Sequence, residues 1–184
     1  PRVLPDGTRN SLRFMRLKDK LGNRSNASAE LEFDNTLAWI VGEEGRGVPT
    51  IIDMVHATRL DVANWGVSLM RQAVSQAGWH VANRDAFGST LIDKPLMQNV
   101  LADLEIEVEA ATLMITRLSG AHERMEIDDH ERAFARLATP IAKYWLTKQS
   151  NPVVRESLEC VGGNGYVEDS IMPRLYREAP LNAI

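Results

Sequence analysis

The side chains best suited to chemistry fall at three places along the chain. The first is Arg84-Asp85-Ala86-Phe87-Gly88. A guanidinium offers a planar fork of donors that fits the edge of a phosphate or carboxylate. An arginine at the end of a helix can equally answer the negative pole of that helix, and an aromatic beside it can be plain core. The second cluster is Gly162-Gly163-Asn164-Gly165-Tyr166. Glycines let a backbone come close to an anion, so that amide N–H groups meet it directly. They also end helices, and the same run reads as a C-cap followed by a turn. The third is the single Arg59, which either serves a nearby site or pairs with Asp61 or Glu43.

The other reactive residue types give less. His122-Glu123 and His130-Glu131 lie eight apart with no third ligand at metal spacing, and His-Glu-x-x-His is absent, so no zinc site is expected. His56 and His80 read as single helix residues. Cys160 is the only cysteine, which excludes a disulfide within the chain and reads as a small inert hydrophobe. Glu105, Glu107 and Glu109 read as a solvated face. Tyr166 and Arg177 read as packing groups.

Composition bounds the class. The chain has 184 residues, 44% apolar and 25% charged, as in ordinary globular proteins. Its net charge of -4 gives no general attraction for nucleic acid or anionic lipid, so DNA is not an expected partner of this portion. No apolar run approaches the roughly 18–20 residues that span a bilayer. The stretch from Pro1 to Asn10 is polar and does not read as a secretory leader. A cytoplasmic protein without a membrane partner is the expectation.

The elements that must position the clusters change character along the chain. Residues 11–18 and 27–33 alternate apolar and polar positions, with Leu12, Phe14 and Leu17, then Ala29, Leu31 and Phe33, which predicts two strands around a turn. A third apolar run, Leu37 to Val41, breaks at Gly42 to Gly47. From Val48 the period is helical. Val55, Val62, Trp65, Leu69 and Ala73 predict one face of a long helix to about Asn83. Leu101, Leu104, Val108, Ala111, Ile115 and Leu118 give the clearest amphipathic signal, ending near Gly120. A third helix is expected from an Asp128 or Asp129 cap, with Phe134, Leu137, Ile141 and Tyr144 on one side and a kink or break at Pro140. Pro152 is expected to open a fourth helix over 153–161, and a last helical turn to cover 170–178. Long helices on short loops pack antiparallel. Two or three strands make no stable sheet alone, so an upstream portion is expected.

Three stretches, taken together and in order, resemble the acyl-CoA dehydrogenase family. They are Leu21-Gly22-Asn23-Arg24-Ser25 with Gly42-Glu43-Glu44-Gly45-Arg46-Gly47, then Arg84-x-x-Phe87-Gly88, then Gly162-Gly163-x-Gly165-Tyr166 followed by Pro173-Arg174-Leu175-Tyr176-Arg177-Glu178. Lys18 to Ser28, Pro95-Leu96-Met97 and Arg174 to Pro180 are most similar to its AidB-type, alkylation-response branch. The resemblance implies a mainly α chain: a C-terminal four-helix up-down bundle over 47–184, preceded over 1–46 by a few strands from the end of the middle β domain.

It also implies an FAD-dependent oxidoreductase that removes an α-proton and a β-hydride from an acyl-CoA, working as a homodimer or homotetramer. The cofactor-binding residues it implies are Arg84, Phe87, Gly88, Gly162 and Gly163. In the family, the arginine matching Arg84 bonds the FAD of a neighbouring subunit, and the Phe matching Phe87 packs on its adenosine end. Pro95 and Glu159 stand where the family often has Gln. The family's usual base is a Glu expected just past Asn182-Ala183-Ile184. Some members carry the base on the long helix instead, where this chain has Thr58, which cannot serve as a carboxylate. No catalytic residue is therefore expected within the 184. The alternative is an AidB-like flavoprotein that protects DNA with little dehydrogenase turnover.

Overall fold

The computed structural model describes residues 1–184. The chain separates into two compact units, Pro1–Met54 and Val55–Ile184. In the first, β1 (Leu12–Leu17) pairs antiparallel with β2 (Ala29–Phe33). The spacing of Phe14 and Leu17 breaks strict alternation, and the structure resolves it with a register shift at Met15. The extra residue brings three apolar pairs into line: Leu12 with Phe33, Phe14 with Leu31, Leu17 with Ala29. The intervening pairs are charged, with Arg16 and Glu30 3.0 Å apart and Arg13 and Glu32 3.6 Å apart. Leu37 to Val41 forms no strand. Leu37 instead is tied to Asn10, whose amide donates to the Leu37 and Pro1 carbonyls and accepts from the Leu37 and Ser11 N–H groups. One buried Asn thereby joins three segments that lack a common sheet.

The second unit rests on three long helices. These are α1 (Gly47–Asn83), α2 (Pro95–Arg124) and α3 (Asp129–Val161), with a short α4 (Met172–Glu178) against them. α2 buries the predicted stripe, Leu104, Val108, Ala111, Ile115 and Leu118, and runs through Gly120 to Arg124. On α1 the buried face is Ala63, Gly66, Val67, Met70, Val74, Ala77 and Val81, while Trp65 stays half exposed. At Gly66 a Cβ would meet the Leu146 carbonyl at 3.3 Å, so glycine lets α1 lie directly on α3.

α3 departs most from expectation. Leu137, Ile141 and Tyr144 face outward, and Phe134 is only partly buried. The buried face carries Ala135, Thr139, Ala142, Leu146, Thr147, Ser150 and Ser157. Their hydroxyls stay satisfied by donating to carbonyls one turn back: Thr139 to Ala135, Thr147 to Lys143, Ser157 to Val153. Small groups so satisfied can be buried and still permit close helix contact. Pro140 and Pro152 do not divide the helix. Both lie on its exposed side, where the carbonyls they leave without an N–H partner, those of Arg136 and Lys148, can bond water. The expected third and fourth helices are thus one, and α4 is the fourth.

The α2–α3 turn is held by charge. Asp128 caps α3, accepting from the His130 and Glu131 N–H groups. Glu131, 8% exposed, takes both prongs of Arg117 at 2.8 and 3.0 Å, with Arg124 at 3.4 Å. Arg117 in turn lies 4.3 Å over the Phe134 ring. Nearby, His56 of α1 stacks on His122 of α2 with centroids 5.3 Å apart. The His122 Nε2 meets the Thr139 hydroxyl at 2.8 Å; that hydroxyl donates to Ala135, so the imidazole nitrogen is the donor. Burial, then the charge of His56, holds His122 below the usual histidine range.

The Arg117 hydrogen bonds hold the Glu131 carboxyl below the usual carboxylate range against the opposing effect of burial. A depressed folded value stabilises the fold above the ordinary value of roughly 4.3 and ceases to as pH falls through the folded value. Thermal melts of Glu131→Gln are therefore expected to show a lower midpoint at pH 7. The difference from the unsubstituted protein should shrink as pH falls well below the ordinary value of roughly 4.3; an equal gap at pH 7 and in acid would contradict the assignment.

Candidate functional site

α1 ends at Asn83 and the chain turns back at once through a minimal hairpin, β3 (Asp85–Ala86) with β4 (Ser89–Thr90). Its two-residue loop is Phe87-Gly88, with φ of 54° and 85°. Positive φ at both positions is the type I′ turn, which ordinarily takes Asn-Gly. Phe87 holds this left-handed conformation with its side chain 91% exposed. A bulky residue there costs on the order of 1–3 kcal/mol, and neither burial nor packing offsets it. Two contacts lock the turn. The Thr90 hydroxyl donates to Asp85 at 2.8 Å across the hairpin, and the Lys94 ammonium donates to the Phe87 carbonyl at 2.7 Å. A hydrogen bond from a charged donor contributes about 1.5–3 kcal/mol, comparable with the strain. Arg84, just before the hairpin, is exposed and joins no ion pair.

The glycine cluster divides by role. Gly162 caps α3 with φ of 67° and ψ of -147°, its N–H bonded to the Glu159 carbonyl, a conformation that only glycine adopts readily. Gly165 is buried, and a Cβ there would sit 2.5 Å from the Leu158 carbonyl. Gly163 needs neither: its φ is ordinary, and a Cβ would meet nothing within 4 Å. Arg177 closes over the following loop with two bonds to Glu168, at 2.5 and 3.0 Å, which makes it a strap. The Glu159 carboxylate pairs with Arg155 at 2.9 Å. Because α1 and α3 run parallel and α2 runs back between their ends, the Arg84–Gly88 turn and Gly162-Gly163 lie at one end of the bundle.

Thr58 and Arg59 lie elsewhere. They line a cavity of about 470 Å³ shared with Val62 and Trp65 of α1, Lys143 of α3 and Asn182. Arg59 forms no ion pair, and Glu43 pairs with Arg46 instead. The Thr58 hydroxyl donates to the Val55 carbonyl at 3.0 Å. Asn182 is 4% exposed and faces this space. Sequence reasoning missed Lys94, Lys143 and Asn182. Nothing in spacing marks the last two, whereas a Lys immediately before the Pro that opens α2, close after a tight turn, is placed to reach back.

Comparison with known proteins bears on the fold that carries these residues. The family model described as acyl-CoA dehydrogenase, C-terminal domain, matches residues 45–184. The chain is 47% identical over all 184 residues to AidB of Escherichia coli strain K12, covering 34% of that protein. It is 36% identical over 181 residues to acyl-CoA dehydrogenase family member 11 of Caenorhabditis elegans, covering 97% of this chain and 29% of that one. The crystal structure of C. elegans ACDH-11 in complex with C11-CoA superposes with a TM-score of 0.92, at 35% identity, over 100% of this chain and 31% of that chain. The chain thus spans about a third of the length of these relatives.

The glycines give a test that separates fold from ligand approach. Gly165→Ala should lower the melting midpoint markedly, because its Cβ falls on backbone. Gly163→Ala should leave the midpoint unchanged or slightly higher, by up to about 1 kcal/mol from reduced freedom of the unfolded chain. Differential scanning calorimetry of the two variants decides it, and a large loss at Gly163 would show that its role is structural.

Proposed function

This chain belongs to the acyl-CoA dehydrogenase family, whose C-terminal helical domain it carries, and from that premise we propose that it forms part of an FAD-dependent oxidoreductase that introduces an α,β double bond into acyl-CoA thioesters. The family's members are FAD-dependent flavoproteins. The observation that carries the reading is the Phe87 turn: a strained, exposed aromatic beside an unpaired arginine, at the same end of the bundle as a glycine with open space at its backbone. A chain that had only to reverse direction would place Asn-Gly there.

The residues fit the cofactor as follows. Arg84 would grip the pyrophosphate with its fork. Phe87 would give the adenine a flat apolar surface, and Gly88 permits the turn that presents it. Gly162 and Gly163 would let the chain come close to phosphate oxygens, although the Gly162 N–H itself is already bonded to the Glu159 carbonyl. Pro95 has no donor to offer, and Glu159 already holds Arg155. Bound FAD supplies the acceptor for the hydride that leaves the β-carbon.

The cavity around Arg59 would take part of the acyl-CoA. Val62 and Trp65 form an apolar wall, and Arg59, Lys143 and Asn182 a polar one. That ACDH-11 of C. elegans is seen with C11-CoA supports a thioester of this kind. Thr58 stands ahead of Arg59 with its hydroxyl bonded to backbone, so the α-proton is taken by another group. The outward Leu137, Ile141 and Tyr144 of α3 support association into a homodimer or homotetramer. No helix is long and apolar enough to cross a membrane. An AidB-like protective role would use the same flavin site.

Titration of the protein with FAD, followed by flavin fluorescence, tests the reading. Arg84→Ala is expected to weaken binding roughly 10- to 150-fold, the loss of one charge-assisted contact of about 1.5–3 kcal/mol. Phe87→Ala should weaken it about tenfold, as for one aromatic stacking contact. Binding unchanged in both would overturn it.

A further inference from the structure

We propose that Lys94 is a positioning residue for the cofactor site, acting through the Phe87 turn. The inference rests on the reading that this turn receives FAD. Lys94 is the residue before Pro95, the first residue of α2. Its backbone N–H bonds the Leu91 carbonyl and its own carbonyl accepts from Gln98, so the residue is anchored on both sides. From this fixed base the ammonium reaches back seven residues to the Phe87 carbonyl at 2.7 Å.

The bond falls on the one peptide of the hairpin whose conformation the residue type opposes. Phe87 would relax toward negative φ if released, and the ring would leave its present direction. The two β3–β4 pairs and the Thr90–Asp85 bond fix the stem, but they do not fix the peptide after Phe87. Lys94 does. It holds an exposed aromatic in the orientation that a ligand would meet, so that binding need not supply the ordering. Lys94 is only partly buried and joins no ion pair, so its ammonium has no competing carboxylate.

A double-substitution cycle in the purified protein tests this, read by FAD affinity and by hydrogen exchange of the Ser89 amide, which closes the hairpin against Ala86, without FAD. Lys94→Met is expected to weaken FAD binding about tenfold and to speed Ser89 exchange, with at most a small drop in melting midpoint because the freed Phe87 sheds its strain. Lys94→Arg, which keeps a charged donor, should restore both. In a Phe87→Gly background, where no strained aromatic remains to be held, Lys94→Met should add nothing further. If Lys94→Met binds FAD normally while Phe87→Gly does not, the positioning role is wrong and the cofactor site stands. If Lys94→Met costs the same in the Phe87→Gly background, Lys94 touches the cofactor itself and the positioning role is again wrong. If Arg84→Ala and Phe87→Gly both bind normally, the cofactor site fails and this role with it.

Discussion

The architecture depends on how closely α1 and α3 can approach. At Gly66 a Cβ would press on the Leu146 carbonyl by a few tenths of an ångström. α3 answers with a buried face of Ala, Ser and Thr, whose hydroxyls fold back onto carbonyls of the preceding turn. That arrangement satisfies every buried hydroxyl locally and demands nothing of the neighbouring helix. Larger side chains on this face would push α3 outward. The Arg117–Glu131 clamp then fixes the α2–α3 turn, and α1 and α3, running the same way, end at the same end of the bundle. The proposed cofactor surface is assembled at those ends, from one loop that follows α1 and another that follows α3.

How much of this was legible in the sequence follows from the kind of signal each element gives. α2 has large apolar residues at helical spacing and one solvated face, and its buried stripe was read correctly. The long extent of α1 to Asn83 was read as well, because the breakers lie outside it. α3 was misread because hydrophobic periodicity follows large residues, and here the large residues face outward. A packing face made of Thr, Ser and Ala looks polar in sequence and is dry in the fold. The prolines at 140 and 152 were weighted as helix breaks; a long helix packed on one side tolerates them on the other. In the strands the alternation of Phe14 and Leu17 slipped by one, and only pairing with β2 showed the bulge that restores it.

The candidate site was legible in part. Arg84, Phe87, Gly88, Gly162 and Gly163 were picked from motif resemblance, and the structure puts them at one end of the bundle. It also separates roles that the sequence could not: Gly162 and Gly165 have structural duties that require glycine, whereas Gly163 has none. The strain at Phe87 was invisible, since residue type alone does not give φ. The bond from Lys94 left only a trace in the sequence, a Lys just before the Pro that opens α2, because its partner is set only once the hairpin is folded.

The central claim is that one end of the bundle, and not the cavity around Arg59, receives FAD. Amide chemical-shift mapping of the isotope-labelled protein during titration with FAD tests it most directly. Perturbations are expected to concentrate at residues 84–90 and at Gly162 and Gly163, with Thr58, Arg59 and Lys143 unaffected. Perturbations confined to the Arg59 cavity, or none at the Phe87 turn under saturating FAD, would contradict it.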